Sequence, residues 1–111
     1  MAYTPKRGDV AWFEFSPRVG HEQAGRRPGF VLSPLAYNRK VGLALVCPIT
    51  SRVKGYPFEV PLPGGLSVSG VVLADQVRSL DWRGRNAVFA CNAPPEALGD
   101  VLARLNTLLT D

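Results

Sequence analysis

Two short stretches concentrate the side chains able to do chemistry. The first is Gly20-His21-Glu22-Gln23-Ala24-Gly25-Arg26-Arg27-Pro28, and the second is Pro48-Ile49-Thr50-Ser51-Arg52-Val53-Lys54-Gly55-Tyr56-Pro57. Together they hold one carboxylate (Glu22), two aliphatic hydroxyls (Thr50, Ser51), a phenol (Tyr56), three guanidiniums (Arg26, Arg27, Arg52), an ammonium (Lys54) and the chain's single histidine, His21. Guanidinium stays protonated and forks onto two oxygens of a phosphate or carboxylate, so this set suits an anionic partner. Charge along the chain agrees. Residues 1–57 carry nine basic and three acidic side chains, for +6, while residues 58–111 carry four basic and six acidic, for −2. A basic half on a small domain points to a polyanion.

Rigid elements must hold these stretches. With 111 residues, 46% of them hydrophobic and 20% charged, the chain is long enough for one packed domain, residues 1–111, and too well supplied with apolar side chains for disorder. Eleven Gly and ten Pro punctuate it often enough to favour short strands and turns over a helical bundle. Val10 to Phe15 reads as a first strand, Phe30-Val31-Leu32 as a second, Gly42 to Ile49 as a fully apolar central one, then Phe58 to Leu62, Val68 to Val77 and Asn86 to Cys91. Ser16 to Arg27 and Thr50 to Tyr56 read as polar loops at strand ends, and Leu35 to Lys40 as a short helix or turn. Leu98, Val101, Leu102, Leu105, Leu108 and Leu109 recur at helical spacing behind Pro94-Pro95-Glu96, which predicts a C-terminal helix with a core-facing leucine side. The expected fold is mainly β: a small SH3-like barrel of five to seven strands closed by that helix.

Other classes are disfavoured. Cys47 and Cys91 stand in apolar surroundings without C-x-x-C spacing, and one histidine does not complete a zinc site, so both read as buried thiols of a reducing compartment. The N-terminal residues lack the apolar region of a signal peptide, and the longest apolar run, Val41 to Ile49, falls far short of the ~20 residues of a membrane span. A cytoplasmic protein with no membrane partner is expected. The acidic residues are scattered, so no metal site and no cofactor is expected.

Glu22 to Pro28 also forms the signature E-Q-x-G-x-R-P, which resembles that of the MazF/PemK/Kid toxin family. It is followed in order by Val31-Leu32-Ser33-Pro34, Tyr37-Asn38, Pro48-x-Thr50, Lys54-Gly55-Tyr56-Pro57-Phe58-Glu59-Val60 and Ala74-Asp75-Gln76-Val77-Arg78-Ser79, so the resemblance runs from Gly8 to the C-terminal helix. It implies a CcdB/PemK-type barrel acting as a homodimer. The implied activity is endoribonuclease cleavage of single-stranded RNA at short motifs without a metal, neutralised by an antitoxin whose acidic, extended segment fills the RNA groove. Of the family's residues, the arginine of R-P and the threonine of P-x-T are central to cleavage, matching Arg27 and Thr50. Glu22 and Lys54 match supporting residues. Some relatives pair a histidine at the His21 position with an aspartate and an arginine further on. Here Asp75 matches that aspartate, but Leu73 stands in the place of the arginine.

Metal-free cleavage uses the ribose 2′-OH as nucleophile. It needs a base for that proton, positive charge on the developing phosphorane and an acid for the 5′ oxygen. Arg27 suits the charge stabiliser, Thr50 a hydrogen-bond donor to the same phosphate, and Glu22, the one carboxylate of the two loops, the proton acceptor; His21 and Arg27 stay open for that role. Lys54, His21, Arg26, Gln23, Ser51, Arg52, Tyr56, Asp75 and Gln76 are the expected RNA contacts, with Tyr56 available for base stacking. The alternative reading is a non-catalytic nucleic-acid-binding barrel. A gyrase-poisoning CcdB-like role fits less well, because it relies on a C-terminal Trp where this chain ends Leu-Leu-Thr-Asp.

Overall fold

The computed structural model describes residues 2–14 and 25–110. The elements are β1 (Asp9–Glu14), β2 (Arg26–Val31), α1 (Leu35–Val41), β3 (Ala44–Thr50), β4 (Glu59–Pro61), β5 (Val71–Leu73), β6 (Arg78–Leu80), β7 (Val88–Asn92) and α2 (Pro95–Asn106). All strand pairs are antiparallel, in the order β4-β5-β3-β2-β1-β7, with β6 also on β3. The mainly β expectation with a C-terminal helix holds. Among the described residues the hydrogen-bonded path has two ends, β4 and β7.

β3 is the spine. One edge pairs with β2, and the other is shared, β5 taking its C-terminal end and β6 its N-terminal end. The continuous strand expected over 68–77 is therefore broken. Val72 faces Ile49 and Arg78 faces Val46, so six residues on one side run against three on the other, and three are extruded. The extrusion carries exposed Asp75 and Gln76, polar residues with weak strand preference, and the turn closes with the Gln76 N–H donating to the Leu73 carbonyl (3.1 Å). Meanwhile β2 starts earlier than expected, so Arg26 and Arg27 stand on a strand rather than in a loop.

The strand alternation feeds two cores. Phe30 opposite Cys47, with Ile49 and Val72, packs on one side together with Ala97 and Val101 of α2; Val31 opposite Val46, with Phe13, Leu80 and Trp82, packs on the other. Each buried Val, Ile, Leu or Phe among them contributes about 1.5–3 kcal/mol. Gly29 is required by this packing, since a Cβ there would overlap the Val46 side chain and press on the Phe13 ring. Fully buried Asn38 joins the N-terminal segment to α1. Its amide donates to the carbonyls of Pro5 (2.8 Å) and Ser33 (3.0 Å) and accepts from the Ser33 hydroxyl, while its own carbonyl accepts the Trp82 indole N–H (2.9 Å).

Two further expectations change. On α2 only Ala97 and Val101 are buried and Leu98 and Leu105 half-buried, whereas Leu102, Leu108 and Leu109 are exposed, at 38%, 52% and 71%. The helix meets the sheet along one narrow stripe against β4 and ends at Asn106, so Leu108 and Leu109 lie beyond it. Cys47 is buried as expected but Cys91 is half-buried, at the outer strand β7. No helix among the described residues is long and apolar enough to cross a membrane.

Candidate active site

Register brings the two reactive stretches together. β2 and β3 pair as Val31 with Val46, Phe30 with Cys47 and Gly29 with Pro48, and Arg27 and Thr50 stand two positions beyond the last of these pairs on the two neighbouring strands. Both side chains line one cavity of about 720 Å³, walled also by Trp12, Arg26, Pro28, Pro48, Ile49, Ser51, Arg52, Ser67, Val68, Ser69, Leu73 and Gln76. Three guanidiniums thus border a space of the size that takes a ligand segment.

Thr50 is held on two sides. Its hydroxyl oxygen accepts the Arg52 N–H (3.1 Å), which orients the oxygen and leaves its hydrogen to donate. Behind it Gly70, at φ +126°, lies so close that a Cβ there would overlap the Thr50 carbonyl.

A smaller cavity of about 160 Å³ adjoins the first, sharing Thr50, Arg52, Leu73 and Gln76 and adding Lys54, Tyr56 and Glu59. Buried Glu59 receives two consecutive backbone donors, the N–H of Lys54 (2.9 Å) and of Gly55 (2.8 Å), one on each carboxylate oxygen. The Tyr56 hydroxyl donates to Asp75 (3.0 Å). Desolvation, then that hydrogen bond and the Asp75 charge, raise the Tyr56 phenol above its ordinary range, so it stays a donor at neutral pH. Burial, with a smaller push from Asp75, lifts the Cys47 thiol to about 12 and leaves it inert beneath the site.

Arg26, Arg27, Thr50, Ser51, Arg52 and Gln76 therefore meet in the larger cavity, and Lys54 and Tyr56 line the smaller one beside it. Asp75 lines neither; it is exposed and ties the extruded turn to Tyr56. His21, Glu22 and Gln23 lie outside the described residues. Leu73, the position at which the sequence resemblance suggests an arginine, forms an apolar wall common to both cavities. Sequence reading missed Trp12 as a cavity wall, Ser67 and Ser69, the close approach of Gly70, and Glu59. Only Glu59 left a signal: an acid inside an otherwise apolar strand, directly after the polar loop.

Residues 6–109 match the family model described as PemK-like, MazF-like toxin of type II toxin–antitoxin system. The chain is 49% identical over 107 residues to the endoribonuclease toxin MazF of Escherichia coli K12, covering 96% of each. It is 38% identical over 111 residues to the endoribonuclease PemK of Escherichia coli, covering 95% of this chain and 82% of that protein. Among solved structures, a MazE–MazF complex from Deinococcus radiodurans superposes with a TM-score of 0.93 at 56% identity, covering 97% of both chains.

Proposed function

The chain belongs to the PemK-like, MazF-like toxin family of type II toxin–antitoxin systems, and from that premise we propose that the cavity between the ends of β2 and β3 is where it cuts RNA. The protein is an endoribonuclease toxin. Its substrate is single-stranded RNA, whose scissile phosphate sits between Arg27 and Thr50. The ribose 2′-OH attacks the adjacent phosphorus, the bond to the 5′ oxygen breaks, and a 2′,3′-cyclic phosphate and a 5′-hydroxyl remain. Arg27 stabilises the charge gathering on the non-bridging oxygens, and the Thr50 hydroxyl donates to one of them. Arg26, Arg52 and Lys54 supply positive field along the strand, and Glu22 is assigned as the proton shuttle, taking the 2′-OH proton and returning it to the departing 5′ oxygen. His21, Gln23, Ser51, Tyr56 and Gln76 contact the RNA, and Asp75 holds Tyr56 in place.

The observation that carries this reading is the cavity wall shared by Arg27 and Thr50, which stand just past the last pair joining neighbouring strands β2 and β3. The basic cavity equally suits an acidic, extended segment of an antitoxin, a partner supported by the MazE–MazF complexes among similar structures. The working unit is a homodimer in the cytoplasm. Cleavage of a long single-stranded transcript in excess EDTA tests the chemistry. Arg27→Ala and Thr50→Ala should each lower the rate about 10²–10³-fold, as loss of one charge-stabilising donor does. Undiminished scission in either variant refutes the mechanism, and binding without scission by the unaltered protein refutes catalysis.

A further inference from the structure

We infer that Glu59 is a positioning residue for RNA cleavage: its carboxylate gathers the Lys54 and Gly55 amides and thereby aims Lys54 at the phosphate held by Thr50. The inference rests on the RNA-cleaving reading of the cavity. Glu59 opens β4 and pairs with Leu73 of β5, so the sheet fixes its backbone, and its side chain is 8% exposed. Gly55 takes φ +85°, so the chain makes a left-handed turn directly after the two donor N–H groups. The carboxylate fills that nest as an internal anion, one oxygen to each donor (2.9 and 2.8 Å). The Tyr56 hydroxyl on Asp75 (3.0 Å) anchors the next residue of the same loop.

The placement looks perverse for a phosphate site, because Glu59 and Lys54 line the same small cavity as Thr50. A negative charge there opposes the substrate. Its benefit is geometric, and this gives the inference a sign: neutralising Glu59 eases substrate binding while it slows the chemistry. A residue that merely stabilised the fold would not split the two.

Single-turnover cleavage of one RNA over a range of protein concentrations reads both quantities. In Glu59→Gln the maximal rate should fall about 10–100-fold, the order expected when a charged group is misplaced by up to an ångström, with half-saturation unchanged or at lower concentration. Lys54→Ala should slow cleavage similarly, and the double variant should be no more than about threefold slower than the slower single, since both remove one coupled unit. Losses that multiply overturn the inference, as does a Glu59→Gln protein cutting at the wild-type rate. Gly55→Ala carries the same test if Glu59→Gln folds poorly. A Cβ there meets nothing within 4 Å, so only the turn is disturbed, and the same loss of maximal rate is expected. Wild-type cleavage by Arg27→Ala, run in parallel, would instead remove the reading of the cavity and this inference with it.

Discussion

Replacing Gly70 with alanine drives a methyl group into the backbone that carries Thr50. The added Cβ stands 2.9 Å from the Thr50 carbonyl carbon, nearer still to its oxygen, and 3.3 Å from the Ser51 nitrogen, where ordinary contact begins at 3.4 Å. The strand end must therefore retreat by at least about 0.5 Å, because the three nearest atoms, which would have to yield, are all backbone. Gly70 also sits at φ +126°, a conformation costing a non-glycine residue about 1–3 kcal/mol. For a domain of this size that corresponds to a fall in Tm of roughly 4–12 °C. Displacing one partner of the Arg27–Thr50 pair by half an ångström or more should slow cleavage by about 10-fold or more. Thermal unfolding by circular dichroism and single-turnover cleavage well below the lowered Tm separate the two effects. Gly64→Ala is the control, being in the preceding turn with no positive φ and no atom within 4 Å of a Cβ. A Gly70→Ala protein that loses stability yet cleaves at the wild-type rate would refute the claim that this glycine sets the position of Thr50.

The hydrogen bond from the Tyr3 hydroxyl to Asp9 makes stability depend on alkaline pH. Burial first, then the hydrogen bond to Asp9 and its charge, raise the Tyr3 phenol above its ordinary value of 10.0. The folded protein then holds a proton that the unfolded chain releases, so this stabilisation is complete below pH 10 and is lost as pH rises further. Tm should drop above pH 10, and Tyr3→Phe should lower Tm at pH 8 but flatten the alkaline decline; an equally steep decline in the variant would exclude Tyr3 as its source. Asn38→Ala removes three side-chain bonds inside the core and should cost about 2–4 kcal/mol in urea denaturation, because it strands buried carbonyls. A loss under about 1 kcal/mol would mean that water replaces the amide.

Much of this protein is written locally. The β-branched and aromatic run of β1, the apolar run of β3, the Pro-Pro-Glu start of α2 and the ordered motifs around Arg27, Thr50 and Lys54 follow from neighbours a few residues away, and such short-range preferences need no tertiary context. Long-range pairing decided the remainder. Whether 68–77 is one strand depends on β3 offering one edge to two partners, which forces three residues out of register. Which leucines of α2 are covered depends on where the helix meets β4, and helical spacing alone sets only that they lie together. The same holds for the site. Residue types and motif order named Arg27 and Thr50, but the antiparallel pairing of β2 with β3 is what brings them to one cavity. The roles of Glu59 and Gly70 arise only where distant segments touch, Glu59 by collecting two amides from a loop and Gly70 by pressing against the backbone of another strand. Composition carries the chemistry of a side chain; contact between segments far apart in the chain decides which neighbour that chemistry meets.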